Sequence, residues 1–381
     1  MVTLADIFRQ YGPAYCAQFG DQLLPSHRQV MHAIVQCRTA VLGGHVYSCD
    51  GCEQSQYYYH SCRNRHCPQC QGDKAADWLA RQQALLLPTP YFMLTFTFPA
   101  ELRPLARRQQ RLFYNLLFRA SAAATQQLAQ NPRFLGGDLG MVGVLHTWSR
   151  NLAYHPHVHY LVPGGAWDGQ VWRRGRSKRF LLPVKALSPL FRAKVRDALR
   201  ETELWEHIPP AVWRKPWVVH CKRVGSGQRA LRYLAPYIFR VAITNRRIVA
   251  LNDDPAGSLP TVTFRYRPSG SRHWRLCTVT VMEFMRRFLQ HVLPQGFVKV
   301  RYYGFFSAGQ RARLRLVTAW LQPQAAPPKE QSRQAATPTP EPTATVRRCP
   351  LCGQPLRLVQ RLPPPPLPRP QPVSASPWQP P

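Results

Sequence analysis

The sequence predicts a fold that mixes α-helices with β-strands beside a cysteine-rich, metal-binding region. Three observations predict it. Segments with helical periodicity alternate with short runs rich in aromatic and β-branched residues. Five cysteines crowd into residues 49–70. The last 60 or so residues, from 323 on, lose this patterning and are rich in proline, ending near PPPPLPRPQP.

The elements follow in order. Residues 1 to about 45 read as helical, with Ser26 as an N-cap and Gly43-Gly44 as a stop. Residues 73–87 resume a helical pattern, closed by Pro88 and Pro90. YFMLTFTF (91–98) reads as a buried strand, and 101–130 as one long helix or two short ones. LGMVGVLHTWS and HVHYLVPGG read as strands, with Gly164-Gly165 turning the chain. Residues 185–206 suit a helix, WVVHCKRV a strand and 226–240 another helix. TVTFRYR and RLCTVTV resemble a hairpin, followed by a helix from Met282 to about Val292. The tail is too poor in buriable apolar surface to repay ordering, so disorder is expected over most of it. No internal repeat stands out.

The chain has 381 residues with 51 Lys+Arg against 18 Asp+Glu, a net charge of +33. Such an excess repels itself in a compact fold unless a polyanion meets it. Nucleic acid is the first such partner, because each neutralised phosphate releases counterions. An anionic membrane surface is the rival, but no apolar run approaches the ~20 residues of a spanning helix. The N-terminus has no basic stretch followed by an apolar one, so no signal peptide is read. The expectation is a cytoplasmic, nucleoid-associated protein without membrane contact.

In a reducing compartment, clustered cysteines read as metal ligands. Cys49-x2-Cys52 and Cys67-x2-Cys70 are two knuckles fourteen residues apart, the pattern of a structural zinc ribbon. These four are the expected zinc ligands, with Cys62, His60 and His66 as spare donors. Arg63, Arg65 and Lys74 would let the ribbon touch phosphates, and a purely structural ribbon fits equally. Cys349-x2-Cys352 in the tail is half a site: a degraded second ribbon, or a pair completed across a dimer.

Residues 146–159 carry four histidines, His146, His155, His157 and His159. Residues i and i+2 of a strand face the same way, so His157 and His159 would present two imidazoles side by side with Val158 in the core. His146, at the end of the preceding strand, is the candidate third ligand for a divalent ion. Pro156 suits a strand's start or edge, which leaves His155 on the approach. Inert histidines on a half-buried strand are the plainer reading of the His-x-His motif alone. Downstream, Tyr233 and Tyr237 are spaced to share one face of a helix, with Pro236 between them and Arg232 and Arg240 alongside. Core aromatics are the plainer reading there. Arg173, Arg174, Arg176, Lys178 and Arg179 form a basic run, either a phosphate contact or a solvated loop.

A His-hydrophobic-His strand followed by Tyr-x3-Tyr is the signature of the HUH single-strand endonucleases. Together with CRTAVLGGH, SCRNRHCPQCQ, FTFP, HTWSRNLAYHPHVHYLV, YLAPYIFRVAITNRRI and VRYYGFFS, the arrangement resembles the rolling-circle transposases of the insertion sequence 91 family, over residues 4 to 320. The resemblance implies an α+β fold: a helical and zinc-binding domain over 1–88, an HUH catalytic domain with a central antiparallel sheet over 89–322, and the proline-rich tail over 323–381. It implies nicking and rejoining of single-stranded DNA at the ends of a mobile element and at its target. Tyr233 and Tyr237 would be the nucleophiles, His146, His157 and His159 would hold Mg²⁺ or Mn²⁺, and a 5′-phosphotyrosine would be the intermediate. Proline inside the tyrosine motif and the long tail depart from the family pattern. A carboxylate-triad transposase is the enzymatic rival, but the few acidic residues, Asp253-Asp254 among them, compose no convincing triad. The non-enzymatic rival is a zinc-ribbon nucleic-acid-binding protein.

Overall fold

The structure is a computed structural model. It describes residues 2–70, 72–83, 85–177, 179–229, 231–232, 242–253, 259–268, 270–322 and 347–365. Strands and helices mix, and every strand pairing is antiparallel, so the fold is α+β. Two compact units divide the chain. The first holds residues 1–35 and 63–333, and the second joins 36–62 to 334–381.

In chain order the helices are α1 (Leu4–Phe19), α2 (Pro25–Gln36), α3 (Gly72–Gln83), α4 (Arg103–Arg108), α5 (Gln110–Gln130), α6 (Val184–Arg200), α7 (Ala211–Arg214), α8 (Val281–Leu289) and α9 (Arg311–Leu321). The strands are β1 (Gly44–Cys49), β2 (Ser55–Tyr59), β3 (Pro90–Thr97), β4 (Met141–Trp148), β5 (Tyr154–Pro163), β6 (Gly165–Trp167), β7 (Trp172–Arg174), β8 (Val219–Ser226), β9 (Ile248–Asn252), β10 (Thr261–Tyr266), β11 (Arg275–Thr280), β12 (Val300–Tyr303) and β13 (Leu356–Leu362).

The large unit is built on a five-stranded sheet in the order β12-β4-β5-β3-β8. Its middle strands bury apolar side chains on both faces, one face giving way to histidines toward one end of β4 and β5. One face meets α5 and α6 through Phe96, Phe98, Phe118, Tyr160 and Phe191, all essentially fully buried. Burying the Tyr160 phenol requires partners, and it finds them in Ser121 Oγ at 2.8 Å and the Phe118 carbonyl at 3.1 Å. Gly143 lets this ring in: a Cβ there would stand 2.6 Å from the Tyr160 ring.

Helix α1 starts with a capping box, Thr3 accepting from the Asp6 amide while Asp6 accepts from Thr3. The expected cap at Ser26 is not used, because α2 begins one residue earlier at Pro25, which suits a first turn. The stretch 101–130 is two helices, broken at Gln109 (φ −115°, ψ 52°). TVTFRYR and RLCTVTV pair as β10 and β11, and β9 extends them to three strands.

The small unit is the sheet β13-β1-β2. Within the expected proline-rich tail, residues 356–362 form a strand paired with β1 along its whole length. The small unit draws on residues 36–62 and 334–381.

Candidate functional site

The histidine site is a product of register. β4 and β5 pair so that His146 lies directly opposite His157 and Val144 opposite His159. Residues opposite one another share a face, as do residues two apart. The eleven-residue offset between His146 and His157 is thus the distance around one hairpin. The three ring centroids lie 4.7, 4.9 and 5.3 Å apart, and each side chain offers a nitrogen within 4.8 Å of the others. Val158 is fully buried on the opposite face, as the alternation requires.

Two contacts orient the rings. His157 Nδ1 donates to the His155 carbonyl at 2.7 Å, which leaves Nε2 with its lone pair outward. His159 Nδ1 is 2.8 Å from Thr95 Oγ1, on the neighbouring strand at the paired position. Pro156 causes no loss, because it falls at the register shift between β4 and β5 and beyond the last β3 pair. His155 thus acts through its main chain, and its ring is not among the grouped donors.

Burial keeps these imidazoles neutral. Desolvation pushes His146 and His157 well below the usual range, with the neighbouring histidines adding to it, and holds His159 down at about 4. Three neutral imidazoles on one rigid sheet suit a divalent cation, so the donor set fits one. Arg103, at the start of α4, puts positive charge beside His155 and His157. Sequence reading passed over it, because nothing local links residue 103 to the histidine strand.

A cavity of about 680 Å³ opens elsewhere in the same unit, with Arg65, Trp78, Trp148, His291, Lys299 and Tyr302 in its walls. Trp148 connects it to the histidines, stacking on His146 at 5.2 Å. The Lys299 ammonium sits 5.0 Å over the Trp148 ring. Burial, reinforced by Arg65, brings its pKa down to about 7.

The remaining expected residues divide. Tyr233, Tyr237, Arg240 and Lys178 lie outside the described residues. Arg232 is exposed. Arg173 is exposed and bonded to Asp168 at 2.7 Å, and Arg174, Arg176 and Arg179 are exposed beside it.

The cysteines correct the expected ribbon. Cys49 and Cys52 do gather into a four-sulfur group, but its other members are Cys349 and Cys352, not Cys67 and Cys70. All four sulfurs lie within 4.8 Å of one another. Cys67 and Cys70 bring their own sulfurs within 4.8 Å of each other, and so do Cys37 and Cys62. The spare donor His66 is otherwise engaged, its Nε2 accepting from the Leu293 amide at 3.3 Å.

Family models match two stretches: a "Transposase zinc-binding domain" over residues 7–98 and a "Putative transposase" over residues 140–313. The chain is similar to "Putative transposase y4qJ" of Sinorhizobium fredii, 42% identical over 81% of both chains. It is also similar to the "Transposase for insertion sequence element IS801" of Pseudomonas savastanoi pv. phaseolicola, 29% identical over 72% of this chain and 68% of the relative. The chain belongs to the insertion sequence 91 family of transposases. No solved structure matches it. Within this family assignment, the histidine hairpin falls inside the transposase match, and Cys37, Cys49, Cys52, Cys62, Cys67 and Cys70 inside the zinc-binding match. Cys349 and Cys352 fall outside both. No described helix is long and apolar enough to cross a membrane.

Proposed function

We propose that this transposase nicks and rejoins single-stranded DNA at the ends of its element by a rolling-circle route, through a 5′-phosphotyrosine. The observation that carries the reading is the convergence of His146, His157 and His159 on one sheet face. A divalent ion held there, Mn²⁺ or Mg²⁺, would polarise the scissile phosphate and stabilise the departing 3′ oxygen. Neutral imidazoles suit Mn²⁺ better than Mg²⁺.

Tyr233 or Tyr237 supplies the nucleophile. A phenol's pKa of about 10 leaves roughly one in a thousand ionised at pH 7, so attack needs an activated phosphate. The phenol oxygen bonds to phosphorus, the P–O3′ bond breaks, and the oxygen leaves as a 3′-hydroxyl carrying a proton. One phosphodiester replaces another, so rejoining needs no ATP. Arg103, whose charge bears on His155 and His157, would meet a phosphate there. The Trp148 cavity offers an aromatic wall, with Arg65 beside it as the cation, the pair of contacts that single-stranded DNA uses. The cysteines serve structure. The pairs Cys37–Cys62 and Cys67–Cys70 are each half of a tetrahedral thiolate set.

The test is denaturing electrophoresis of labelled single-stranded element ends incubated with protein and Mn²⁺. Wild type should yield a nicked strand and a protein-linked fragment. His157→Ala and His159→Ala should each lose both products while still binding the DNA. Normal nicking by both variants would reject the metal site. No adduct from wild type with any divalent ion would favour a binding protein over a nuclease.

A further inference from the structure

We infer that Cys349 and Cys352 complete a zinc site with Cys49 and Cys52, so that one zinc ribbon is assembled from two stretches of chain nearly 300 residues apart. The match to a zinc-binding domain ends at residue 98 and includes only half of these ligands.

The first support is that the two knuckles are copies of one turn. CDGCEQ (49–54) and CPLCGQ (349–354) share the pattern Cys-x2-Cys-x-Gln. In the first, the Cys49 amide donates to the Gln54 carbonyl and the Glu53 amide to the Cys49 carbonyl, at 3.1 and 2.8 Å. In the second, Cys349 donates to Gln354 and Gly353 to Cys349, at 2.8 and 2.9 Å. The residue after each second cysteine is left-handed, Glu53 at φ 54° and Gly353 at φ 77°. A non-glycine residue in that region is strained, so Glu53 marks a turn imposed by its surroundings.

The second support is distance. Cys49 Sγ lies 3.3 Å from Cys352 Sγ, and Cys52 Sγ lies 3.6 Å from Cys349 Sγ. Sulfurs bound to one tetrahedral zinc at about 2.3 Å stand about 3.8 Å apart. Four thiolates in a tetrahedron select zinc over the hard cations.

The third is the frame around them. β13 runs along β1 from Gly44↔Leu362 to Cys49↔Leu356, delivering the second knuckle beside the first. Leu356 packs with Cys49 and Cys349, and the Arg347 guanidinium covers the rings of Tyr58 and Tyr47 at 4.4 and 5.4 Å. The knuckles fit closely: a Cβ on Gly51 would stand 2.9 Å from Gln354 Cγ. Three strands of this size make a marginal core alone, and such small units commonly depend on a metal. Zinc here is therefore a clasp that fastens the C-terminal strand into a sheet begun by residue 44.

The experiment uses the full-length protein with a specific protease site inserted within residues 323–346. Metal analysis should show one zinc equivalent fewer in the Cys349→Ser/Cys352→Ser double variant than in wild type. After cleavage, the wild-type C-terminal fragment should co-elute with the rest of the chain and separate when a zinc chelator is added. Cobalt loading supplies a second readout independent of retention: the thiolate-to-cobalt absorption should fall in the double variant, and Cys352→His should recover part of the lost metal. Unchanged zinc content in the double variant would overturn the proposal. So would a fragment that chelator leaves in place and a reductant releases, which would reveal a disulfide.

Discussion

The histidine cluster and the cysteine cluster are both donor sets on antiparallel sheets, yet they are assembled in opposite ways. The histidines come from one hairpin, with all three ligands inside fourteen residues. Their geometry is set by a ladder whose register the surrounding core fixes, with Val158 and Tyr160 buried on the far face. The cysteines come from two knuckles at opposite ends of the chain, on a sheet with a very small core of its own. The first site is preorganised by the fold, and a metal bound there would add chemistry to it. The second, as we infer it, would help to make the fold, and the binding energy of its metal would be folding energy.

The largest expected effect divides the two. Replacing both Tyr233 and Tyr237 by Phe should remove every covalent DNA adduct, while zinc content and thermal stability stay at wild-type values. Each single substitution should leave adduct formation by the other phenol. Phenylalanine keeps the ring, so the result reports on the hydroxyl. If one single variant loses all adduct and the other transposes at full rate, this is a one-tyrosine enzyme. Cysteine substitutions in the knuckles should show the converse pattern, with zinc and the C-terminal strand lost first.

The same contrast explains what the sequence could convey. A hairpin carries its own register information: alternation names the face, and hairpin length predicts that residue 146 can meet residue 157. The sheet strands were legible for similar reasons, being short aromatic and β-branched runs between turns. Ligand pairing in the ribbon was not, because adjacency of Cys49–Cys52 and Cys67–Cys70 in sequence mimics a complete site. The available signal was the glutamine two residues after each knuckle, shared by Cys49–Cys52 and Cys349–Cys352 but absent from Cys67-Pro68-Gln69-Cys70. Composition alone could not reveal the strand within the tail. Proline-rich flanks concealed LRLVQRL, a strand that needs a partner 300 residues away. Arg103 escaped for the same reason, because its approach to the histidines is a tertiary fact.

A smaller effect tests how far the histidine site is preorganised. Thr95 belongs to β3 and touches the site through His159 Nδ1. Groups that orient a metal-binding imidazole typically contribute 10- to 100-fold in affinity or activity. Thr95→Val keeps the shape and removes the hydroxyl. It should raise the Mn²⁺ concentration needed for half-maximal nicking by about 10-fold, with the maximal rate less affected. Thr95→Ser should restore most of the affinity. An unchanged metal requirement in Thr95→Val would mean that packing alone holds the ring, and the site would be more rigid than the comparison requires.

The smallest effect concerns a region that is neither kind of site. The basic run on and after β7 gathers charge without converging donors, so whatever it contributes should be additive and screened. Each phosphate neutralised on a single strand contributes about 0.7 to the slope of log affinity against log salt. Arg173 already lies against the Asp168 carboxylate, whose hydrogen bonds from the Val171 and Gln170 amides hold it ionised down to about pH 2. Its charge is therefore partly spent, and Arg173→Ala should move the slope by well under 0.7. Replacing Arg174, Arg176 and Arg179 together should flatten it by up to about 2, if all three reach phosphate. The measurement is single-stranded DNA binding across a salt series with each variant. Equal slopes for the triple variant and wild type would identify the run as a solvated hairpin edge and shift the search for the DNA path to Arg103 and the walls of the Trp148 cavity.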